Sequence, residues 1–179
     1  MIGKIISLGI SIRDIIRGQT INQLRKKGAI IGNNVKLLSS TIDVHTSCLV
    51  EIGDNVTITN AIVQAHDAST KLYIGYTKIA KTIIGNNVFV GMGSIILPGS
   101  RIGDNVIIGA GSVVRGLIPE NSVVIGNPAK VVCTCEEYID KNRKKMKETK
   151  RYEKSINSMT IEEKKKLILE IGNSVAYEL

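Results

Sequence analysis

The chain has no tryptophan, one phenylalanine and five tyrosines in 179 residues, so aromatics make up only 3% of it. A core of ordinary size must therefore be built from Ile, Val and Leu. Three cysteines, Cys48, Cys133 and Cys135, make neither an even secreted framework nor a CxxC pair with zinc spacing, which points to a reducing cytoplasm and implies no metal. Histidine is nearly absent as well: His45 and His66 are the whole supply, too few for a three-histidine zinc site within one chain. The N-terminal stretch MIGKIISLGISIRDII is apolar but broken by Lys4, Arg13 and Asp14. It has no small-residue cleavage site and is too short to span a bilayer, which leaves packing on the body of the protein or lying on a membrane surface as an amphipathic helix.

What the chain does have is basic charge and a repeat. Lysine and arginine outnumber the acidic residues 24 to 16, for a formal charge of +8, which favours anionic partners. Much of that excess lies in one tail, where KNRKKMKETKR (141–151) reads as a solvated helix face or as a phosphate or membrane contact. No aromatic residue interleaves with those charges, so nucleic-acid binding is not expected.

The repeat shows in RIGDNVIIGAGSVV (101–114). An aliphatic residue returns every six positions at Ile84, Val90, Ile96, Ile102, Ile108 and Val114, with Gly85, Gly91, Gly103 and Gly109 directly behind four of them. Neither a helix nor a strand has that period. Asn-Asn and Asp-Asn pairs stand beside several of the breaks, and Gly, Asn and Asp tolerate the positive φ of a tight bend. Each hexad therefore reads as a short strand ended by a corner. Ile31, Leu37, Ile52 and Ile58 carry the same beat less perfectly. Stacked coils of this kind make a prismatic solenoid with an interior column of Ile and Val.

Three zones result: an N-terminal helical segment at 1–28, the repeat at 29–132 with an interruption at 65–82, and a helical basic tail at 133–179. Thr20 with Gln23, Thr134 with Glu137 and Thr160 with Glu163 form capping-box pairs, while Gly28 and Gly172 are stop signals.

The hexads, together with IPENSVVIGNPAKVV (118–132), resemble the hexapeptide-repeat acyltransferases, whose fold is a left-handed parallel β-helix. The resemblance covers roughly residues 29–132. It supplies the left hand, which the periodicity does not fix and which runs against the usual right-handed crossover. The expected fold is thus all-β, a left-handed parallel β-helix with helical appendages at both ends. The interrupting segment AHDASTKLYIGYTKIAK (65–81) is similar to the extruded acceptor loop of the sugar O-acetyltransferases.

That resemblance implies an acetyl-CoA-dependent O-acetyltransferase, cytoplasmic, assembled as a homotrimer with sites between subunits. Its acceptor would be a carbohydrate hydroxyl, in a surface or capsular polysaccharide or its precursor. It also implies that His66 is the catalytic base, a task suited to a side chain that titrates near neutrality. The orienting partner for its ring would be a backbone carbonyl or a carboxylate, with Asp43 and Asp67 as candidates. His45, in TIDVHTS, has no motif behind it.

On the acceptor side Asn60, Asp67 and Ser69 would meet sugar hydroxyls, with Asp43 lining the floor. Tyr73 and Tyr76 either stack on a sugar ring or pin the loop to a neighbouring subunit. For the donor, the resemblance puts the pantetheine arm past Phe89, Gly91, Gly93, Gly109, Ala110 and Gly111, with Arg115 and Lys130 near the phosphates. A backbone N–H around Gly91 to Gly93 would meet the oxyanion. Competing functions are N-acetylation of a nucleotide-linked amino sugar, a solenoid scaffold without catalysis, and peripheral membrane docking through the terminal helices. A β-helix zinc enzyme of the carbonic anhydrase type is set aside for want of a third histidine.

Overall fold

In the computed structural model, which describes residues 20–179, the six-residue beat becomes one side of a three-sided coil. The first face stacks Ile30–Ile31, Val50–Ile52, Thr82–Ile84, Arg101–Ile102 and Leu117–Ile118. The second stacks Lys36–Leu38, Thr57–Thr59, Phe89–Val90, Ile107–Ile108 and Ser122–Gly126, and the third Thr41–Ile42, Ile62–Val63, Ile95–Ile96 and Val113–Val114. Strands within each face pair in parallel. The repeat sets the register: Ile84 stands against Ile102, Val90 against Ile108 and Ile96 against Val114. These guide residues are all buried, none more than 3% exposed. The interior column of aliphatics expected from the sequence is therefore present, and it needs no aromatic to fill it.

The corners explain the Asn-Asn and Asp-Asn pairs. Asn34, Asn55, Asn87, Asn105 and Asn121 all adopt positive φ at successive turns of one edge, a region in which Asn is tolerated far better than most residues. Their side-chain amides bond from coil to coil, Asn87 donating to Asn105 at 3.0 Å and Asn55 to Asn87 at 3.1 Å. The identity of the corner residue is thus fixed twice, by backbone conformation and by its stacked neighbours.

Gly91 has a different reason. Its φ is not positive, but a Cβ placed there would lie 2.6 Å from the Ala110 nitrogen and 2.7 Å from the Ile108 carbonyl oxygen in the next coil. Both coils are tied by the Gly91 N–H donating to that same oxygen at 2.8 Å, so neither can retreat cheaply. Gly91→Ala is expected to lower the unfolding free energy by about 1–3 kcal/mol, an overpacking cost, read from chemical denaturation. An unchanged midpoint would mean that the coils separate freely.

The hexads are interrupted after the third face. His66–Asp67 and Lys78–Ile79 leave the coil as an antiparallel pair, His66 opposite Ile79 and Asp67 opposite Lys78, with a helical turn at Lys71–Ile74 beyond them. The Ala80 N–H donates to the Ala65 carbonyl at 2.9 Å, closing the base of the excursion before the coil resumes at Thr82.

At the far end the chain reverses. Ala129–Thr134 runs antiparallel against Ser122–Gly126, the single reversal within the three faces.

The chain divides into two compact units, the first ending at Cys135 and the second spanning Glu136–Leu179. In the first, the Thr20 and Gln23 capping box opens helix Ile21–Lys26, and Gly28 follows at positive φ. Helix Cys135–Glu148 begins directly after Thr134. Within the second unit, helix Ile161–Ile171 is opened by the Thr160 and Glu163 capping box and ended by Gly172, and Arg151–Tyr152 pairs with Tyr177–Glu178. The expectations for residues 1–19, including a membrane-surface helix, lie outside the described residues. Among the described residues, no helix is long and apolar enough to cross a membrane.

Candidate active site

The third face ends each coil with a buried aliphatic, and the residue after it turns the corner. Backbone bonds run from Asp43 N–H to the Val63 carbonyl, from Gln64 N–H to Ile96 and from Leu97 N–H to Val114. Asp43, Gln64, Leu97 and Arg115 thus form one column up this edge, and the excursion that carries His66 leaves from it.

Asp43 points inward, its side chain 2% exposed. One carboxylate oxygen accepts the backbone N–H groups of His45 at 3.1 Å and Thr46 at 3.2 Å. The other accepts those of Ala65 at 3.0 Å and His66 at 3.1 Å, and it also bonds the His66 ring at Nδ1. Burial pushes the carboxyl pKa up, but the hydrogen bonds from the Ala65 amide, Thr46 and His66 outweigh it and hold the group well below the usual carboxylate range. An ionised oxygen can only accept, so Nδ1 carries a proton, which in the neutral ring leaves the lone pair on Nε2. The His66 side chain is one-third exposed. This is the arrangement of a general base with an anionic orienter behind it.

His66 borders a cleft of about 720 Å³ lined by Gln64, Asp67, Ser69, Lys78, Leu97 and Arg115, with Ile79, Ala80 and Pro98 as its apolar part. The rim is braced by Thr82, whose buried hydroxyl donates to the Gln64 carbonyl at 2.7 Å. The ring of His45 meets that of His66 edge-on, with centroids 6.2 Å apart.

Several expected site residues take other places. Both Asp43 oxygens are taken inside the fold, one of them by the His66 ring. Asp67, the other candidate orienter, instead pairs with Lys78 at 2.6 Å and accepts the Ser69 N–H at 2.9 Å, bonds that hold its pKa below the ordinary range. It and Ser69 do line the cleft. Asn60 does not: it sits at positive φ at the corner before Ile62–Val63, the opposite end of that strand from His66. Tyr73 and Tyr76, 84% and 77% exposed, stand on the excursion away from the cleft.

The expected donor residues also divide. Phe89 lies on the second face between Thr57 and Ile107, and Lys130 on the reversed strand opposite Ile125. Gly91, Gly93, Gly109, Ala110 and Gly111 occupy the corner between the second and third faces, outside the cleft that His66 of the same chain borders. Fold geometry accounts for these glycines: close coils at Gly91 and Gly109, positive φ at Gly93 and Gly111. Of the expected donor set only Arg115 reaches the cleft. Gln64, Lys78, Leu97 and Pro98 were not anticipated. For Gln64 and Leu97 the signal is in the hexads, because each directly follows a guide residue of the third face.

Comparison with known proteins agrees with this architecture. The family described as "Bacterial transferase hexapeptide (six repeats)" matches residues 81–116. Protein CapG of Staphylococcus aureus is 40% identical over 148 residues, covering 79% of this chain and 84% of that protein. A galactoside O-acetyltransferase of Lactococcus lactis is 42% identical over 98 residues, covering 55% of this chain and 46% of that enzyme. Among solved structures, a hexapeptide-repeat containing acetyltransferase from Vibrio cholerae shares the fold with a TM-score of 0.50 at 17% identity, over 68% of this chain and 86% of that one.

Proposed function

This chain belongs to the hexapeptide-repeat acetyltransferases, and from that premise we propose that it transfers an acetyl group from acetyl-CoA to a carbohydrate hydroxyl, with His66 as general base. The left-handed winding comes with family membership, and we take the active unit to be a homotrimer with its sites between subunits. The acceptor class follows the names of its sugar O-acetyltransferase relatives, a surface or capsular polysaccharide or its precursor being the natural choice. The observation that carries the reading is the His66 and Asp43 pair beside an open cleft.

The chemistry follows from that pair. Nε2 of His66 accepts the proton of the sugar hydroxyl as its oxygen attacks the acetyl carbonyl carbon. The carbon–oxygen bond forms, the carbon–sulfur bond breaks, and Nε2 returns its proton to the departing sulfur. An ester and a free thiol account for every atom, and no acetyl-enzyme is needed. The imidazolium that exists between the two proton transfers is stabilised by the adjacent Asp43 carboxylate. Ile79, Ala80, Leu97 and Pro98 give the cleft an apolar stretch that fits a thin, uncharged arm.

The test is an acceptor screen with acetyl-CoA, following thiol release across free sugars, nucleotide sugars and lipid-linked glycans. The expected product is an alkali-labile ester. Transfer confined to amino sugars, giving alkali-stable amide, would replace this reading with N-acetylation. Calorimetry showing no binding of acetyl-CoA would leave only a scaffold.

A further inference from the structure

We propose that His45 determines specificity on the acceptor side: its ring hydrogen-bonds a second hydroxyl of the sugar, adjacent to the one whose proton His66 takes. The acceptor class is then a glycoside with vicinal hydroxyls. The inference rests on the acetyl-transfer reading and deepens it.

One buried carboxylate places both histidines. Asp43 takes the backbone N–H of His45 on one oxygen and that of His66 on the other, each at 3.1 Å, so the turn of one coil and the excursion of the next are held against the same group. The two rings stand edge-on, centroids 6.2 Å apart, with 87° between their planes. Their commitments differ. The His66 ring is bound at Nδ1, whereas the His45 ring is exposed and makes no hydrogen bond or ion pair with any described residue. A neutral imidazole offers one donor and one acceptor, the pair that a hydroxyl can match in either sense. Without a carboxylate on its ring, His45 lacks the anion that fixes the tautomer of His66, so it binds and does not act as a second base.

The geometry of the two rings decides what His45 binds. The Nδ1 end of His66 faces buried Asp43, so the exposed third of that side chain is the end carrying Nε2, and the exposed His45 ring flanks it. A ring nitrogen lies about 1 Å from its centroid, so two nitrogens, one from each ring, stand roughly 4–8 Å apart. Two neighbouring hydroxyls of one sugar, each about 2.8 Å from its own nitrogen, span that same interval. The attacking oxygen itself is already engaged. Its proton goes to His66 and a lone pair to the acetyl carbon, and a donor on its other lone pair would weaken it as a nucleophile. The bond from His45 therefore falls on the next hydroxyl. The thin arm of the donor does not compete for it, because the apolar stretch at Ile79, Ala80, Leu97 and Pro98 belongs to a cleft whose lining does not include His45.

Steady-state kinetics on the intact protein test this with the best glycoside acceptor and its two monodeoxy analogues, each lacking one hydroxyl beside the acetylated position. For the wild type, one of the two deletions should lower kcat/KM roughly 5- to 50-fold, the worth of a hydrogen bond to a sugar hydroxyl. His45→Phe keeps a ring against His66 but no hydrogen bond. It should lower kcat/KM for the full acceptor by the same factor and add no further loss with that deoxy analogue, the non-additivity of two partners in one contact. His45→Gln, which keeps a donor and an acceptor, should recover part of the preference. The KM for acetyl-CoA and the pH profile of kcat should hold in both variants. Asp43 bonds the backbone N–H of residue 45, which both variants keep, so the turn persists. Equal losses with full and deoxy acceptors in His45→Phe overturn the proposal, as does a wild type indifferent to both deletions, or a shifted pH profile with unchanged acceptor preference. All three results leave the acetyl-transfer reading standing. Failure to acetylate any sugar hydroxyl removes that reading and this inference together.

Discussion

His66→Ala lowers the rate of acetyl transfer by about 10²- to 10⁴-fold, the range that a positioned general base supplies. The loss falls on kcat, because the imidazole acts on the proton that moves in the transition state. Titration with CoA should keep its wild-type affinity, since the remaining cleft lining is untouched. The fold should persist as well: Asp43 still accepts the N–H groups of His45, Thr46, Ala65 and residue 66. Thiol release with the best acceptor, measured beside a denaturation curve, separates the two effects. Transfer at near the wild-type rate would show that the base lies elsewhere.

Asp43→Asn should damage both activity and stability, which His66→Ala does not. An amide has one accepting oxygen where the carboxylate has two, and its NH2 group would face backbone N–H donors that cannot accept. Unfolding free energy should fall by roughly 2–4 kcal/mol, the cost of leaving buried donors without acceptors. The rate should fall by about 10²- to 10³-fold as the ring loses the anion that fixes its tautomer. The pH dependence has a definite sign. The folded-state pKa of Asp43 is depressed, so its contribution to stability is complete above the ordinary carboxylate range of about 4 and is lost as the pH falls below it, toward the lower folded value. Acid should therefore destabilise the wild type more than Asp43→Asn. Parallel curves of unfolding free energy against pH would mean that the carboxylate is not ionised in the fold.

The hexads made the solenoid legible because side-chain identity and backbone geometry agree at every coil: a guide aliphatic inside, a glycine where coils touch, an asparagine at the bend. His66 was legible for the opposite reason, standing where the beat fails. The partner of its ring was harder to identify. In a string of letters Asp67 adjoins His66 while Asp43 lies 23 residues away, and only the stacking of Ile42 on Val63 sets Asp43 beneath the peptide of Ala65 and His66. Asn60 and the glycines at 91–93 and 109–111 turn another corner of the coil than His66, and proximity along the chain says nothing about which of three corners a residue turns. Counting forward from Asp43 by guide residues of the third face would have reached Gln64, Leu97 and Arg115.

The reversed strand at the end of the coils has a consequence for how copies of this chain meet. A parallel stack is its own template: an unpaired final rung offers the hydrogen-bonding pattern that another identical rung would need, and nothing intrinsic to such a rod tells it where to stop growing. Ala129–Thr134 runs the other way and covers the second-face side of that rung with the wrong polarity for an added coil. Fibre-like growth from this tip is thereby discouraged, which steers encounters between copies toward the flanks of the prism.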